Sequence, residues 1–319
     1  MSLTAEQLAM RKTGIAASEL ASVCGLSPWG SAIEVWERKV GVRDDDLSLN
    51  ANIIRGTLFE APVIAWYTLL SSRKVVPQTT LRHPKHPIML ATPDGVAFKD
   101  GDEPRCLEIK CPGPFTLRHW GAEGSDEIPE YYVPQVQAQM AVTGLQTTDV
   151  VMFSGIEPKI YHVDYDDEFF QATREIAEKF FTDYVLTGTP PPPDTTAAYG
   201  DFLARHAPMR DAQSTVDLSG SDEAVRWMQQ LKEAQKASKY AAACEEEAKN
   251  NLKALMGENA SARVPGGRIT WRNTKQVRRI QWPELAKSLS IPSDVIEKHV
   301  KMGDAPRPFK VMWDKEEHV

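Results

Sequence analysis

The residues with the clearest capacity for chemistry lie in the segments ATPDGVAF and CLEIKCPGP. Asp94 stands in a Pro-Asp-Gly turn after an apolar strand, and Glu108 and Lys110 lie two positions apart on the next predicted strand. Because side chains alternate along a strand, Glu108 and Lys110 share one face, while Ile109 points to the core and leaves its carbonyl available. Two carboxylates and a carbonyl form a hard oxygen site that suits Mg²⁺ or Mn²⁺.

A lysine beside such a metal can hold a water molecule or stabilise developing charge. The metal would polarise a phosphate and lower the pKa of an attacking water, which is the chemistry of phosphodiester hydrolysis. Taken alone, a Pro-Asp-Gly turn is common, and Glu-x-Lys on a strand is usually a solvated face. Together, with Glu108 following Asp94 by 14 positions, the two motifs resemble the signature of the PD-(D/E)xK nucleases.

Further polar residues support a site for a phosphate and a metal. Glu60, in the segment RGTLFE, follows Gly56 by one turn of a predicted helix, and Gln135 begins the helix predicted in YYVPQVQAQMAVTG. Arg11 precedes a short predicted helix whose N-cap is Ser18. A helix N-terminus with a hydroxyl group and a nearby arginine is a suitable phosphate pocket.

The elements that must position these residues form an α/β pattern. Helices are predicted over 18–24, 31–41, 50–71, 134–144, 168–187 and 221–256, with a kink at Pro62 in the third. Short strands are predicted over 75–81, 88–91, 96–99, 106–109, 149–154 and 159–164. This order predicts a mixed central sheet flanked by helices.

The proline run in TGTPPPPDT divides the chain. We expect a first domain over 1–189, a proline-rich linker over 190–220, and a C-terminal extension over 221–319. The extension is predicted to be one long helix or a helical hairpin, followed by a β-hairpin that is entered through Gly266 and Gly267. The hairpin is rich in arginine, and the residues that could contact DNA there are Arg268, Arg272, Arg278 and Arg279. An ordinary solvated face is an equal alternative.

Composition limits the class of protein. The 319 residues are 42% hydrophobic, and we expect neither a signal sequence nor a stretch of about 20 apolar residues that could span a membrane. A cytoplasmic protein is therefore predicted.

The net charge is −7, but residues 1–194 carry −10 and residues 195–319 carry +3. The four cysteines form no CxxC pair, which favours free thiols. Trp29, in the SPWG loop, is a candidate for stacking on a DNA base.

Taken as a set, these motifs resemble the YqaJ-type viral recombinases, the phage exonuclease family that includes lambda exonuclease. The matching pieces are GIAASEL, LSPW, RGxxxE, LRHPxHPxMLATPDG, LEIKCPG and YYxPQVQxQMxVTG, which follow one another over about residues 9–190. The resemblance implies a PD-(D/E)xK nuclease core. It implies Mg²⁺ as cofactor, with Mn²⁺ as a substitute.

The resemblance also implies a role for each matching residue. Asp94, Glu108 and the Ile109 carbonyl would bind one metal, and Glu60 would support a second. The other implied roles are the positioning or activation of a water molecule by Lys110 and Gln135, and the binding of a DNA 5′-phosphate by Arg11 and Ser18.

One departure from the family pattern affects the second metal. The family has a further aspartate before the Pro-Asp-Gly turn, and HPKHPIML has none there. For the nearby His83 and His86 we expect structural or surface roles.

The function that follows is a 5′→3′ exonuclease that degrades one strand of linear duplex DNA during phage-type recombination by single-strand annealing. The alternatives are an endonuclease of the same fold and a DNA-end-binding protein without catalysis. The pairing of Arg11 with Ser18 favours the exonuclease, since an endonuclease needs no pocket for a terminal phosphate. The resemblance further implies a homotrimer, a single-strand annealing protein as partner, and the cytoplasm of a bacterial host with the gene carried by a phage or prophage.

Overall fold

The apolar segments between residues 74 and 164 form a five-stranded mixed sheet. The structure is a computed structural model that describes residues 5–43, 50–207, 215–265, 267–273 and 281–300. In spatial order the strands are β2 (Lys74–Val76), β5 (Gly95–Lys99), β6 (Asp102–Lys110), β7 (Thr147–Phe153) and β8 (Pro158–Asp164). Neighbouring strands are antiparallel except β6 and β7, which are parallel.

The helices of the same part of the chain surround this sheet and a smaller one. The helices are α1 (Ala5–Arg11), α2 (Ala17–Val23), α3 (Ala32–Val40), α4 (Ala51–Ser71), α5 (Val133–Thr143) and α6 (Asp167–Phe180). The smaller sheet has the order β1 (Ile15–Ala16), β4 (Met89–Ala91) and β3 (Leu81–Arg82). The predicted mixed sheet flanked by helices is therefore confirmed.

Alternation along β6 divides its side chains between two helices. Leu107 packs with Val63 and Tyr67 of α4, whereas Cys106 packs with Val136 and Met140 of α5. Each strand residue thus contacts the helix on its own side of the sheet, as the period of two requires. This division determines which helix can reach a polar side chain on β6.

One segment of the predicted linker packs against the first domain. Residues Ala197–His206 form the helix α7, whose Tyr199 and Phe202 are buried in the same core as Trp36 of α3. Arg205 donates to both carboxylate oxygens of the buried Glu37, at 2.8 and 2.9 Å. The chain divides into compact units Met1–Pro208 and Met209–Val319. The first part of the 190–220 segment is therefore not a free linker, because its aromatic residues complete the core.

The second unit contains the predicted long helix and hairpin. Helix α8 (Asp222–Met256) has 35 residues, and β9 (Ser261–Val264) pairs antiparallel with β10 (Gly267–Thr270). Helices α9 (Trp282–Ser288) and α10 (Ser293–Glu297) follow. We expected Gly266 and Gly267 to lead into the hairpin, but β9 already precedes them and Gly267 begins β10; Gly266 lies outside the described residues.

Helix α4 bears on two expectations. It is continuous from Ala51 to Ser71 with Pro62 inside it, so of the predicted kink or restart at Pro62 the restart does not occur. By length and composition it is also long and apolar enough to cross a membrane, the one such helix found among the described residues. The expectation that the chain has no such apolar stretch was therefore wrong. In this structure α4 packs on the sheet through Val63 and Tyr67.

Candidate active site

The carboxylates of Asp94 and Glu108 come together where β5 begins and β6 ends. The Asp94 backbone N–H donates to the Leu107 carbonyl at 3.1 Å, and its side-chain Oδ2 accepts from the Ile109 N–H at 2.7 Å. These two bonds fix the Pro-Asp-Gly turn against the last residues of β6. Glu108 and Lys110 lie on the face of β6 that is covered by α5, and the Lys110 Nζ is 2.5 Å from Glu108 Oε1.

Helix α5 contributes two amide side chains to this cluster. The Gln135 Nε2 donates to Glu108 Oε1 at 2.6 Å, and the Gln135 Oε1 accepts from Lys110 Nζ at 2.9 Å. One turn later, the Gln139 Nε2 donates to Glu108 Oε2 at 2.6 Å. The ring of Tyr132 lies 4.7 Å from Lys110 Nζ, a cation–π distance. The lysine is therefore held on three sides and cannot swing freely.

The electrostatics of the site favour an added positive charge. Burial raises the pKa of Asp94 well above its usual range, and the nearby Glu108 carboxylate raises it further. Glu60, on α4, also acts to raise this pKa, which places it within electrostatic reach of Asp94. Asp94 and Glu108 thus share a partly buried region, in which the ammonium group of Lys110 is paired with Glu108. A divalent cation would remove this imbalance.

The donor set fits a hard cation. Asp94 and Glu108 offer carboxylate oxygens and Ile109 offers a backbone carbonyl, which are the ligands that Mg²⁺ and Mn²⁺ prefer. Among the residues that the structure describes, no group of three or more His, Cys, Asp or Glu side chains is arranged to hold a metal. A cation at this site would therefore depend on two carboxylates, the carbonyl and solvent or substrate oxygens.

Arg11 and Ser18 meet as the phosphate-pocket hypothesis requires. The Arg11 Nη2 donates to Ser18 Oγ at 2.9 Å, and Ser18 is exposed. The predicted N-cap was wrong, because the cap of α2 is Ala16, an extended residue whose N–H donates to Glu19 Oε2 at 2.9 Å. Glu19 also forms a 2.6 Å ion pair with the buried ammonium of Lys39.

Trp29 lies in the wall of a groove on the first unit. Its ring is 61% exposed and meets Tyr131 edge-on at 4.5 Å, and Tyr131 in turn contacts Tyr132 at 4.6 Å. The groove has a volume of about 850 Å³, and Phe115 and Trp29 both line it. An exposed ring at this place could stack on a base.

The remaining predicted residues have different surroundings. In the hairpin of the second unit, Arg268 is exposed and lies directly opposite Arg263, and Arg272 is exposed just beyond β10. Arg278 and Arg279 lie outside the described residues. The two histidines of the LRHPKHP segment make local contacts: the His83 Nδ1 accepts from backbone N–H groups, and His86 is 3.0 Å from a carboxylate oxygen of Glu178.

Three features of the site were not predicted from sequence. Gln139 lies four residues after Gln135, so one helix face carries both amides, and this spacing is a signal that the sequence does contain. Arg55 donates to the Cys111 carbonyl at 2.7 Å and ties α4 to the segment after β6. Asp149, buried on β7, binds Tyr67 and Arg105. No local motif marks it, because its partners are distant in sequence.

Residues 6–146 match the family model of the YqaJ-like viral recombinase domain. Over these residues the chain is similar to that domain, and the match covers less than half of its 319 residues. The matched segment contains Asp94, Glu108, Lys110 and both amides of α5, together with the Arg11–Ser18 pair, so every residue of the candidate site lies within it.

Two relatives share part of this YqaJ-like chain. The uncharacterized protein YqaJ of Bacillus subtilis (strain 168) is 28% identical over 221 residues, which are 68% of this chain and 67% of that protein. An uncharacterized protein of Acanthamoeba polyphaga mimivirus is 27% identical over 151 residues, 45% of this chain. The matched region spans about two thirds of the bacterial protein and about a quarter (27%) of the viral one.

Two solved structures are also similar to the YqaJ-like chain. One is the alkaline exonuclease LHK-Exo from Laribacter hongkongensis, with a TM-score of 0.48 and 23% identity, covering 64% of this chain and 98% of that chain. The other is a phage-related exonuclease from Haemophilus somnus 129PT, with a TM-score of 0.38 and 14% identity, covering 55% and 96% of the two chains.

Proposed function

We propose that this chain is a metal-dependent exonuclease that degrades one strand of linear duplex DNA in the 5′→3′ direction, starting at a 5′-phosphorylated end. The observation that carries the proposal is the cluster of Asp94, Glu108 and Lys110, held by Gln135 within a YqaJ-like domain. Its two carboxylates leave an excess of negative charge that a divalent cation would balance. The cation would be Mg²⁺, and Mn²⁺ would substitute for it.

Each residue of the candidate site has a distinct role in this proposal. Asp94, Glu108 and the Ile109 carbonyl hold the cation, and Glu60 supports a second one. The cation, when bound, supplies a Lewis acid that lowers the pKa of a water molecule. Lys110 keeps its ammonium group beside Glu108, where it can orient that water and stabilise charge that develops on the phosphate.

Selection of the DNA end falls to residues outside the carboxylate cluster. The Arg11–Ser18 pair, in which Ser18 is exposed and Arg11 half-buried, offers a guanidinium and a hydroxyl to a terminal phosphate, which carries more negative charge than an internal one. Trp29 contacts a base beside the site. In the second unit, Arg268 and Arg272 contact backbone phosphates. Two arginines that face each other across β9 and β10 repel in isolation, and a phosphate would relieve this repulsion.

The biological setting follows from the proposed reaction. Degradation of one strand exposes a 3′-ended single strand, which a single-strand annealing protein would take up. We place the enzyme in the cytoplasm of a bacterial host, encoded by a phage or prophage and assembled as a homotrimer on duplex DNA ends. The first compact unit, which ends at residue 208, contains the whole candidate site.

A digest of plasmid DNA tests the proposal. With Mg²⁺, the 5′-ended strands of linear plasmid should be released as nucleotides and leave single-stranded DNA, while covalently closed plasmid stays intact, and ends with a 5′-phosphate should be digested faster than 5′-hydroxyl ends. Cleavage of the closed circle would indicate the endonuclease instead. Binding to linear DNA without any digestion would indicate an end-binding protein.

Truncated chains test where the activity lies. A chain of residues 1–208 should fold and keep nuclease activity. A chain of residues 1–192 should lose stability, because it lacks Tyr199 and Phe202, which are buried in the core. Loss of one buried aromatic side chain costs about 3–5 kcal/mol. Equal melting temperatures for the two chains would contradict the importance of α7 for the first unit.

A further inference from the structure

Helix α5 presents three glutamine side chains to its surroundings, and two of them end on Glu108. Gln135 and Gln139 lie one helical turn apart, and their amide nitrogens each lie 2.6 Å from a Glu108 oxygen, Gln135 at Oε1 and Gln139 at Oε2. Lys110 also donates to Oε1, so that oxygen has two donors. Among the described contacts, Gln139 is the donor to Oε2.

The orientation of the Gln139 amide is set by Glu108 and not by the rest of its environment. Gln139 is fully buried, and its own Oε1 has no hydrogen-bond partner. Rotating the amide by 180° would bring Oε1 to within 2.6 Å of Glu108 Oε2, with two acceptors facing each other. The side chain therefore keeps a buried acceptor unsatisfied, at a cost in stability, in order to donate to Glu108.

Gln137, two residues earlier, provides the contrast. It is also buried, but both ends of its amide are satisfied: Nε2 donates to the Asp164 carbonyl at 2.9 Å, and Oε1 accepts from the Asp166 N–H at 2.8 Å. These bonds join α5 to the chain between β8 and α6. Gln137 thus contributes to the fold alone. In Gln139, by contrast, the amide oxygen has no hydrogen-bond partner, so its hydrogen bonds are not explained by the fold alone.

We infer that Gln139 is a positioning residue, whose amide fixes the Glu108 carboxylate in the orientation that a divalent cation requires. This inference rests on the proposed function of the cluster. A carboxylate oxygen has two lone pairs, so Oε2 can accept from Gln139 and still have one lone pair for a cation. With Oε1 held by Lys110 and Gln135 and Oε2 held by Gln139, the carboxylate loses little further freedom when a cation binds.

The test compares two substitutions of matched chemistry on the same helix. Gln139→Met and Gln137→Met each replace a buried amide with an unbranched apolar side chain of similar length. Binding of Mn²⁺ to the full-length chain is measured by titration calorimetry without DNA, and kcat and KM on linear duplex DNA are measured separately. Melting temperatures report the folded state of each variant.

For Gln139→Met we expect Mn²⁺ binding to weaken about 10-fold or more, as for other groups that orient a metal ligand. The kcat should fall, while the KM for DNA stays unchanged. For Gln137→Met we expect a lower melting temperature with wild-type Mn²⁺ affinity. If Gln139→Met does not fold, Gln139→Asn keeps an amide but withdraws it by one methylene, and it should weaken Mn²⁺ binding in the same direction.

Wild-type Mn²⁺ affinity in a folded Gln139 variant would overturn the inference, and so would an equal loss of affinity in Gln137→Met. The inference and the proposed function fail in different ways. A wild-type chain that digests no DNA, but whose Mn²⁺ binding depends on Gln139, would refute the exonuclease and leave the positioning role intact. Digestion by the wild type with Mn²⁺ affinity independent of Gln139 would do the reverse.

Discussion

Two buried carboxylates on neighbouring parallel strands have opposite electrostatic surroundings. Asp149, on β7, accepts from Tyr67 at 2.6 Å and from Arg105 at 2.9 Å, and it lies 2.7 Å from His162 Nδ1. A guanidinium, a hydroxyl and an imidazole therefore surround one carboxylate. Each partner comes from a different element, so the cluster joins α4, β6, β7 and β8.

Glu108, on β6, has one ion-pair partner among the described residues, and the Asp94 carboxylate lies close by. Lys110 is its ion-pair partner, and the Glu108 carboxylate lies near enough to Asp94 to raise the pKa of Asp94. The charge of Asp149 is balanced by the partners around it, and such a cluster stabilises a fold. The carboxylates around Glu108 are not balanced in this way, which is typical of a site that binds a further charged species. The comparison thus separates a structural carboxylate from a candidate catalytic one, although both are buried.

The largest expected effect is on cleavage. Glu108→Ala and Lys110→Ala should each reduce digestion of linear duplex DNA by about 10³-fold or more, because each removes a group that acts on the metal, water or phosphate. The rate of nucleotide release measures this, and melting curves confirm that the variants are folded. Full activity in either variant would show that the cluster does not take part in cleavage.

The matched substitution at the balanced cluster should affect stability instead. Asp149→Ala leaves Arg105 without its partner and the Tyr67 hydroxyl buried without an acceptor, so the free energy of unfolding should fall by about 3 kcal/mol. Chemical denaturation measures the loss. The remaining folded protein should digest DNA at the wild-type rate. Loss of cleavage without loss of stability would contradict the assignment of Asp149 as a structural carboxylate.

A smaller effect is expected at Arg11, whose side chain is half-buried. Arg11→Ala should slow digestion of 5′-phosphorylated ends by about 10-fold, the equivalent of one charged hydrogen bond, and leave 5′-hydroxyl ends nearly unaffected. The control is Arg43→Ala, an arginine that pairs with Glu34 and Glu37 away from the cluster. An unchanged preference for phosphorylated ends in Arg11→Ala would show that Arg11 does not read the phosphate.

The smallest effect concerns stability without metal. Because burial, and after it Glu108, raises the pKa of Asp94, the folded state binds more protons than the unfolded state above about pH 4, and stability falls as the pH rises through that window. Asp94→Asn removes this loss, so at pH 7 without divalent cations its melting temperature should be about 2–4 °C higher, or ~1 kcal/mol.

The gain in Asp94→Asn should shrink toward pH 4, where the wild-type carboxyl is protonated. Thermal melts at both values of pH measure the difference. A variant that is less stable than the wild type at pH 7 would contradict the idea that the charge of Asp94 is uncompensated.

The sequence predicted those parts of the site that local patterns encode. Glu108 and Lys110 could be placed on one face because a strand alternates, and the turn at Asp94 could be recognised from its proline and glycine. The position of α7 could not be predicted, since the proline run before it suggested a linker, and only the tertiary contact of Tyr199 with the core reverses that interpretation. The partners of Asp149 come from three distant segments, so no window of sequence contains them.

The cap of α2 was misplaced for a related physical reason. Ser18 is a good N-cap residue by type, but the chain is still extended at Ala16 because Ile15 and Ala16 pair with β4. The helix begins directly after this pairing, and Glu19 satisfies the free N–H in place of a serine. Ser18 is thereby left exposed, which is the condition that its proposed contact with a phosphate requires.

Calorimetric titration of Mn²⁺ into the wild type, Asp94→Asn and Asp149→Asn is the measurement that tests the central claim most directly. The unbalanced carboxylates should bind the cation, so the wild type and Asp149→Asn should bind Mn²⁺ with similar affinity. Binding should be lost, or weakened at least about 10-fold, in Asp94→Asn. Wild-type affinity in Asp94→Asn, or loss of binding in a folded Asp149→Asn, would contradict the assignment of Asp94 and Glu108 as the metal-dependent centre.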